Sequence, residues 1–179
     1  MKQILTISGY AQHGKDSVAN FLKQKLPGKT LIIHNADYLK FIAKTYLNWD
    51  GNKDENSRTM LQQLGTERTK IKLNKPLYWT EKVCDIIEIF QDDFDYFCIP
   101  DTRFVSEIRY PQSRFPNFVK TIRVHRLNFD NGLTPEQKFH ISERELVDFP
   151  HDYSIYSETG LINLEKEVDA FIYRAYLFV

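Results

Sequence analysis

The feature that most constrains this chain is the run Gly9-Tyr10-Ala11-Gln12-His13-Gly14-Lys15-Asp16-Ser17. An apolar stretch at residues 4–7 leads into it, and Val18, Phe21, Leu22 and Leu26 follow at helical spacing. Strand, glycine turn, lysine, helix is the order a backbone needs to wrap an anion. Gly9 and Gly14 permit a tight path that turns successive N–H groups inward, and the helix N-terminus adds its partial positive charge. Lys15 can then bridge the outer phosphates of a nucleotide. A chance glycine turn before a helix is the competing reading, and the joint agreement of spacing, lysine and context disfavours it.

One position departs from the usual phosphate-binding loop (P-loop). A serine or threonine normally follows the lysine to touch Mg²⁺, whereas here Asp16 comes first and Ser17 second. A carboxylate beside polyphosphate repels it unless a cation lies between them. Asp16 therefore reads as a direct or water-mediated partner of Mg²⁺, with Ser17 replacing the missing hydroxyl. The alternative is a favourable first-turn helix charge.

Beyond the loop, strand-like and helical runs alternate. Residues 3–8, 30–34, 96–100, 120–124 and 153–157 read as strands. Residues 16–26, 36–46, 57–73 and 77–91, with a closing stretch from Leu161, read as helices. This rhythm predicts a three-layer α/β/α sandwich around a mostly parallel sheet of about five strands. A chain of 179 residues, 42% hydrophobic, suits one domain. Polar residues 48–56 and 127–140 interrupt the order and read as surface loops or lids.

Other segments carry a resemblance. The Gly14-Lys15-Asp16-Ser17 ending, Ala36-Asp37-Tyr38-Leu39-Lys40, Arg58 with Leu61-Gln62-Gln63-Leu64-Gly65-Thr66-Glu67, Asp101-Thr102-Arg103-Phe104 with Glu107, and His140-Ile141-Ser142-Glu143 followed by Asp152 occur in order. Together they resemble the deoxynucleoside monophosphate kinases of bacteriophages, over nearly the whole chain. Phosphomevalonate kinases share the P-loop ending. Lys70 stands where that resemblance leads one to expect arginine, with Arg68 nearby, and Tyr156 where asparagine is usual. The resemblance implies the P-loop kinase fold, a helical acceptor-binding insert at roughly residues 36–92 and a lid at roughly 127–142. It also implies ATP and Mg²⁺ as cofactors, and phosphoryl transfer to a deoxynucleoside 5′-monophosphate.

Each candidate residue has a chemical rationale. Gly9, Gln12, His13, Gly14, Lys15, Asp16 and Ser17 form the nucleotide-binding loop, joined by Arg126 from a lid whose other cations include Arg123 and Lys138. Asp101 ends a buried strand and Arg103 follows it, bringing a carboxylate and a cation to one place, as phosphoryl transfer requires. Asp101 holds Mg²⁺ through water or orients the acceptor oxygen; Arg103 binds the acceptor phosphate or the transferred group; a structural ion pair is the plain alternative. Lys15, Asp101 and Arg103 are the catalytic candidates, and Asp16 and Asp101 the metal candidates. Asp37 and Lys40 lie beyond a strand end, where parallel sheets gather ligands. On a helical wheel Arg58, Gln62, Gly65, Thr69 and Lys72 share a stripe, and a mid-helix glycine there suggests close approach of another group. Arg58, Gln62, Arg68 and Lys70 complete the acceptor set; an ordinary solvated face is the alternative for all of these.

Composition limits the rest. Lys plus Arg equals Asp plus Glu at 24 each, so no global field favours nucleic acid or an anionic membrane. Cys84 and Cys98 form no C-x-x-C pair, which fits a reducing, cytoplasmic setting and a bacterial host if the resemblance extends to origin. No signal-peptide pattern or membrane-length apolar run occurs. The expected partner is a small nucleotide, with no membrane and no nucleic acid, and a homodimer remains compatible. Two other functions stay open: a kinase of hydroxymethylated bases in DNA or another small hydroxyl compound, and a non-catalytic nucleotide-binding module.

Overall fold

The computed structural model describes residues 1–52 and 54–176, excluding the side chains of Glu55, Arg58, Glu136, Gln137 and Tyr176. The candidate acceptor ligand Arg58 therefore lies, as a side chain, outside the described residues.

Five strands, β1 (Gln3–Ser8), β2 (Thr30–Ile32), β3 (Tyr96–Ile99), β4 (Val119–Arg126) and β5 (Tyr153–Ser157), form one sheet in the order β2-β3-β1-β4-β5. Every pairing is parallel. Parallel strands need crossovers. Those between β1 and β2 and between β3 and β4 are made by α1 (Lys15–Lys25) and α5 (Ser106–Arg114). Helices α2 (Ala36–Leu47), α3 (Glu55–Gln62) and α4 (Tyr78–Phe90) fill the stretch before β3, α6 (Pro135–Phe139) and α7 (Ile141–Arg144) lie between β4 and β5, and α8 (Leu161–Tyr176) closes the chain.

Strand alternation divides the core into two layers of apolar packing. Leu5 and Ile7, Tyr96 and Cys98, and Ile122 and Val124 meet Val18, Leu22, Val168 and Phe171 of α1 and α8. Their neighbours Ile4, Phe97, Ile99 and Val119 point the other way, against Val83, Cys84 and Ile87 of α4. A sheet covered on both faces is what continuous apolar strands such as Tyr96–Ile99 specify. Strand–loop junctions are tied by side chains. Asp152 Oδ2 accepts from both Thr121 N and Thr121 Oγ1 at 2.8 Å, fixing the start of β5 against β4.

The sequence reading and the structure differ in several places, α7 and the early start of α3 among them. The expected regular helix over residues 57–73 becomes π-helical over Gln63–Lys72, so a wheel drawn at 3.6 residues per turn does not describe its faces. Gly65 and Thr69 are buried, while Gln62, Arg68 and Lys72 are exposed. The group that approaches Gly65 is the protein itself: an added Cβ would stand 3.2 Å from Leu39 Cδ2, and Trp79 Nε1 donates to Gly65 O at 3.1 Å. Second, α5 is absent from the sequence reading because Pro111 lies within it and its apolar residues are few. Third, the expected loop 127–140 contains the short helix α6.

Phe97 is fully buried at the centre of the α4-facing layer. Phe97→Ala should cost about 3–5 kcal/mol, read as a lowered urea midpoint at unchanged m-value.

Candidate active site

The loop after β1 and the loop after β3 emerge side by side, because Thr6 pairs with Ile99 at the carboxyl ends of neighbouring strands. That is the crevice where open parallel sheets place ligands. Gly9 is required by contact: at φ 150° its Cα faces β4, and a Cβ would sit 2.6 Å from Val124 O. Gly14 precedes α1 at φ 91°, and Gln12 also adopts a positive φ of 63°. These angles bend the loop back over the start of α1.

Lys15 is buried beneath this loop and donates to Gly9 O at 2.9 Å and Tyr10 O at 2.8 Å. Burial, and after it the charge of Arg103, pushes its ammonium down to about 8. His13 is also buried, and its Nδ1 accepts the Arg126 backbone N–H at 3.0 Å. Desolvation, followed by the nearby cation Lys15, lowers its pKa, so the neutral ring acts as a fastener between loop and β4. Arg126 lies over the Phe129 ring at 3.7 Å and donates to Gln12 O at 3.4 Å. Gly14, Ser17, Arg126, Gly160 and Leu161 line a cleft of about 260 Å³. Ser17 thus opens onto this cleft.

On the opposite side, His34 links the P-loop helix to α2. Its Nε2 meets Asp16 Oδ1 at 2.9 Å, and its Nδ1 meets Asp37 Oδ2 at 3.3 Å. Hydrogen bonds from Asp16 and then Asp37 outweigh burial and push the imidazole up to about 10, so it is a cation between two carboxylates. Lys40 reaches Asp37 Oδ1 at 3.8 Å. Asp101 caps α2: Oδ1 accepts from Asn35 N at 2.9 Å and Asn35 Nδ2 at 3.2 Å, and Oδ2 from Ala36 N at 3.1 Å. His34 was absent from the sequence-derived candidates, since nothing in its local sequence signals that it joins Asp16 to Asp37.

Arg103 is half-buried, and its Nη1 pairs with Glu143 of α7. The Glu143 side chain is 7% exposed, and its Oε2 accepts the Ala11 N–H at 2.9 Å. Behind Arg103, Glu107 accepts from Arg103 N at 2.8 Å and Phe104 N at 3.3 Å. Burial pushes its carboxyl up to about 7. Lys70 lies over the Phe104 ring at 4.5 Å, so the loop after β3 gathers Lys70 and Arg103. Gln62 and Arg68 are exposed and have no contact with this group among the interactions of the described residues. A cluster of Tyr38, Phe41, Tyr78 and Trp79 flanks α2, with Tyr38 stacked on Phe41 at 6.0 Å.

The donor set suits Mg²⁺ only in part. No group of three or more His, Cys, Asp or Glu suited to a metal occurs among the described residues. Mg²⁺ generally takes one or two carboxylates and completes its octahedron with phosphates and water. Asp16, 75% exposed beside Lys15, fits that role. Asp101, with both oxygens engaged by the start of α2, fits a water-mediated one.

No family model and no curated protein matches this sequence. In shape it is similar to the crystal structure of shikimate kinase from Bacteroides thetaiotaomicron, with a TM-score of 0.51 and 12% sequence identity over 99% of each chain. The chain thus shares the fold of that P-loop kinase, and its five-stranded parallel sheet with a glycine loop after β1 agrees with it. No helix among the described residues is long and apolar enough to cross a membrane.

Two pH effects follow. Lys15 loses its charge as pH rises through about 8, so with Lys15 in its expected role as the phosphate-holding cation, ADP affinity measured by calorimetry should fall across that pH. His34 is raised above its usual 6.5, so its ion pairs stabilise fully below that pH and fade as pH rises toward 10. His34→Asn should remove about 1–2 kcal/mol of stability at pH 6 and less at pH 10, since Asp16 is open to solvent and screened.

Proposed function

We propose that this protein transfers the γ-phosphoryl group of ATP to the phosphate of a deoxynucleoside 5′-monophosphate, releasing ADP and the diphosphate. The observation that carries the reading is a cleft of about 260 Å³ against the loop after β1, together with an aromatic cluster tied to the start of α1 through side chains. The cleft lies between Gly14, Arg126 and Leu161. The aromatic cluster is on α2 and α4, joined to the P-loop through Asp16, His34 and Asp37.

In this reading the cleft takes the nucleoside of ATP, with the planar Arg126 guanidinium stacking on the base. The N–H groups of the loop and Lys15 hold the phosphates. The aromatic cluster receives the acceptor base by stacking, and Lys40 and Lys70 offer charge to its phosphate. An acceptor phosphate oxygen bonds to the γ-phosphorus as the bond from that phosphorus to the β–γ bridging oxygen breaks, and the electron pair leaves with ADP. Asp16 would hold Mg²⁺, directly or through water, and Asp101 would act through water; the ion would neutralise charge between the phosphates. Asp101 also fixes the first turn of α2, and so the distance between acceptor and donor. The residue segments 36–92 and 127–142 would serve as acceptor-binding insert and lid.

The test is ADP production from ATP and Mg²⁺ against a panel of dNMPs and NMPs. Acceptor-dependent ADP release should appear with at least one dNMP and drop by about 10²-fold or more in Lys15→Ala. Tyr38→Ala should raise the acceptor KM about tenfold while leaving the ATP KM unchanged, as expected for loss of one stacked ring. Silence across the panel, with ATP still binding, would sink the reading.

A further inference from the structure

The Glu143 carboxylate is held by the two kinds of group that hold phosphate. Its Oε2 accepts a peptide N–H of the glycine-flanked loop, from Ala11 at 2.9 Å, and its Oε1 pairs with the Arg103 guanidinium. Consecutive loop amides and an arginine fork both select oxyanions. The side chain is 7% exposed, far more buried than a lid carboxylate needs to be for solubility. Local structure does not explain the placement. Helix α7 spans only Ile141–Arg144, and its first turn is already capped by His140, which accepts from Ser142 N.

Two oxygens of one carboxylate are separated by about the distance between two oxygens of one phosphoryl group. Ligands that meet the one pair can therefore meet the other. We propose that Glu143 occupies the seat of the phosphoryl group to be transferred, and that the Ala11 N–H and Arg103 are ligands of that single group. The proposal rests on the phosphotransfer reading above, and it assigns Arg103 to the transferred group in place of the acceptor's own phosphate. It also makes Glu143 a competitor that withdraws when phosphate enters. Space for withdrawal is at hand. A cavity of about 390 Å³ is lined by Glu143 itself with Tyr10, Phe129, Phe139 and the cation Arg144, and by Lys138, which is paired with Asp130.

A competitor held in the seat lowers apparent affinity by the fraction of molecules in which the seat is open. The loss falls only on ligands that use the seat. ADP does not reach it, whereas ADP with beryllium fluoride does, because the fluoride complex stands in for the transferred group.

Calorimetry of ADP and of ADP–beryllium fluoride, both with Mg²⁺, would be run on the wild type, Glu143→Gln and Glu143→Ala. Both variants should bind ADP–beryllium fluoride about tenfold more tightly than the wild type and bind ADP within twofold of it. Equal gains for both ligands, no gain, or no binding of the fluoride complex to any of the three proteins would overturn the proposal. A second measurement uses the wild type alone: amide hydrogen exchange at Glu143 and Glu145 should speed up when ADP–beryllium fluoride is added. Unchanged or slowed exchange there would also overturn it. Neither measurement contains an acceptor, so inactivity toward every nucleotide of the panel would count against the dNMP kinase reading without altering these outcomes.

Discussion

The site depends on one close approach of backbone to backbone. Gly9 passes so near β4 that a methyl group in place of its hydrogen would meet Val124 O at 2.6 Å. Only there can the chain leave β1, cross the strand end and return to start α1 beneath its own carbonyls. The rest of the loop is then fastened to the same strand through His13 and the Arg126 N–H. Lys15 is drawn under the loop by Gly9 O and Tyr10 O, at the cost of desolvating an ammonium. In the proposed function, an entering phosphate would give that ammonium more counter-charge than Glu143, Asp16 and Asp101 supply, and part of the driving force for anion binding would come from the buried lysine.

A chain with no net charge can still present a strongly polarised site because its charges are placed individually. The loop after β3 is an example. Asp101 is turned toward the start of α2, Arg103 toward Glu143, and Glu107 supports the backbone of both Arg103 and Phe104. Three charged residues within one short segment thus have three different tasks, and the bond between two of them runs from the Arg103 backbone N–H to Glu107.

How much of this was legible in the sequence follows from the range of the interactions involved. Strands β1 and β5 and the P-loop are local patterns, and their bounds could be read from alternation and glycine spacing. The expected parallel five-stranded sheet follows from alternation of strands and helices. Helix α5 carries a proline and few apolar residues, and α6 and α7 are shorter than two turns, so periodicity has nothing to register. A glycine inside a helix signals close approach of some group, but the group at Gly65 is Leu39 of α2, which no local rule identifies. His34 and Glu143 illustrate the deeper limit. Each acquires its role from partners supplied by separate elements, and a residue type alone does not announce such a meeting.

Arg123 anchors the chain on the far side of α7. It is buried on β4, paired in register with Ser8, lies 5.3 Å from the Tyr10 ring, and donates from Nη1 to Leu146 O at 2.8 Å. Leu146 is itself buried, and Val105 N donates to Glu145 Oε1 at 2.7 Å. The chain is therefore pinned to the sheet immediately after α7. The anchor lies within three residues of Glu143, so the withdrawal of that carboxylate proposed above would need only a local rotation of α7, with Leu146 and the start of β5 kept in place by their own contacts.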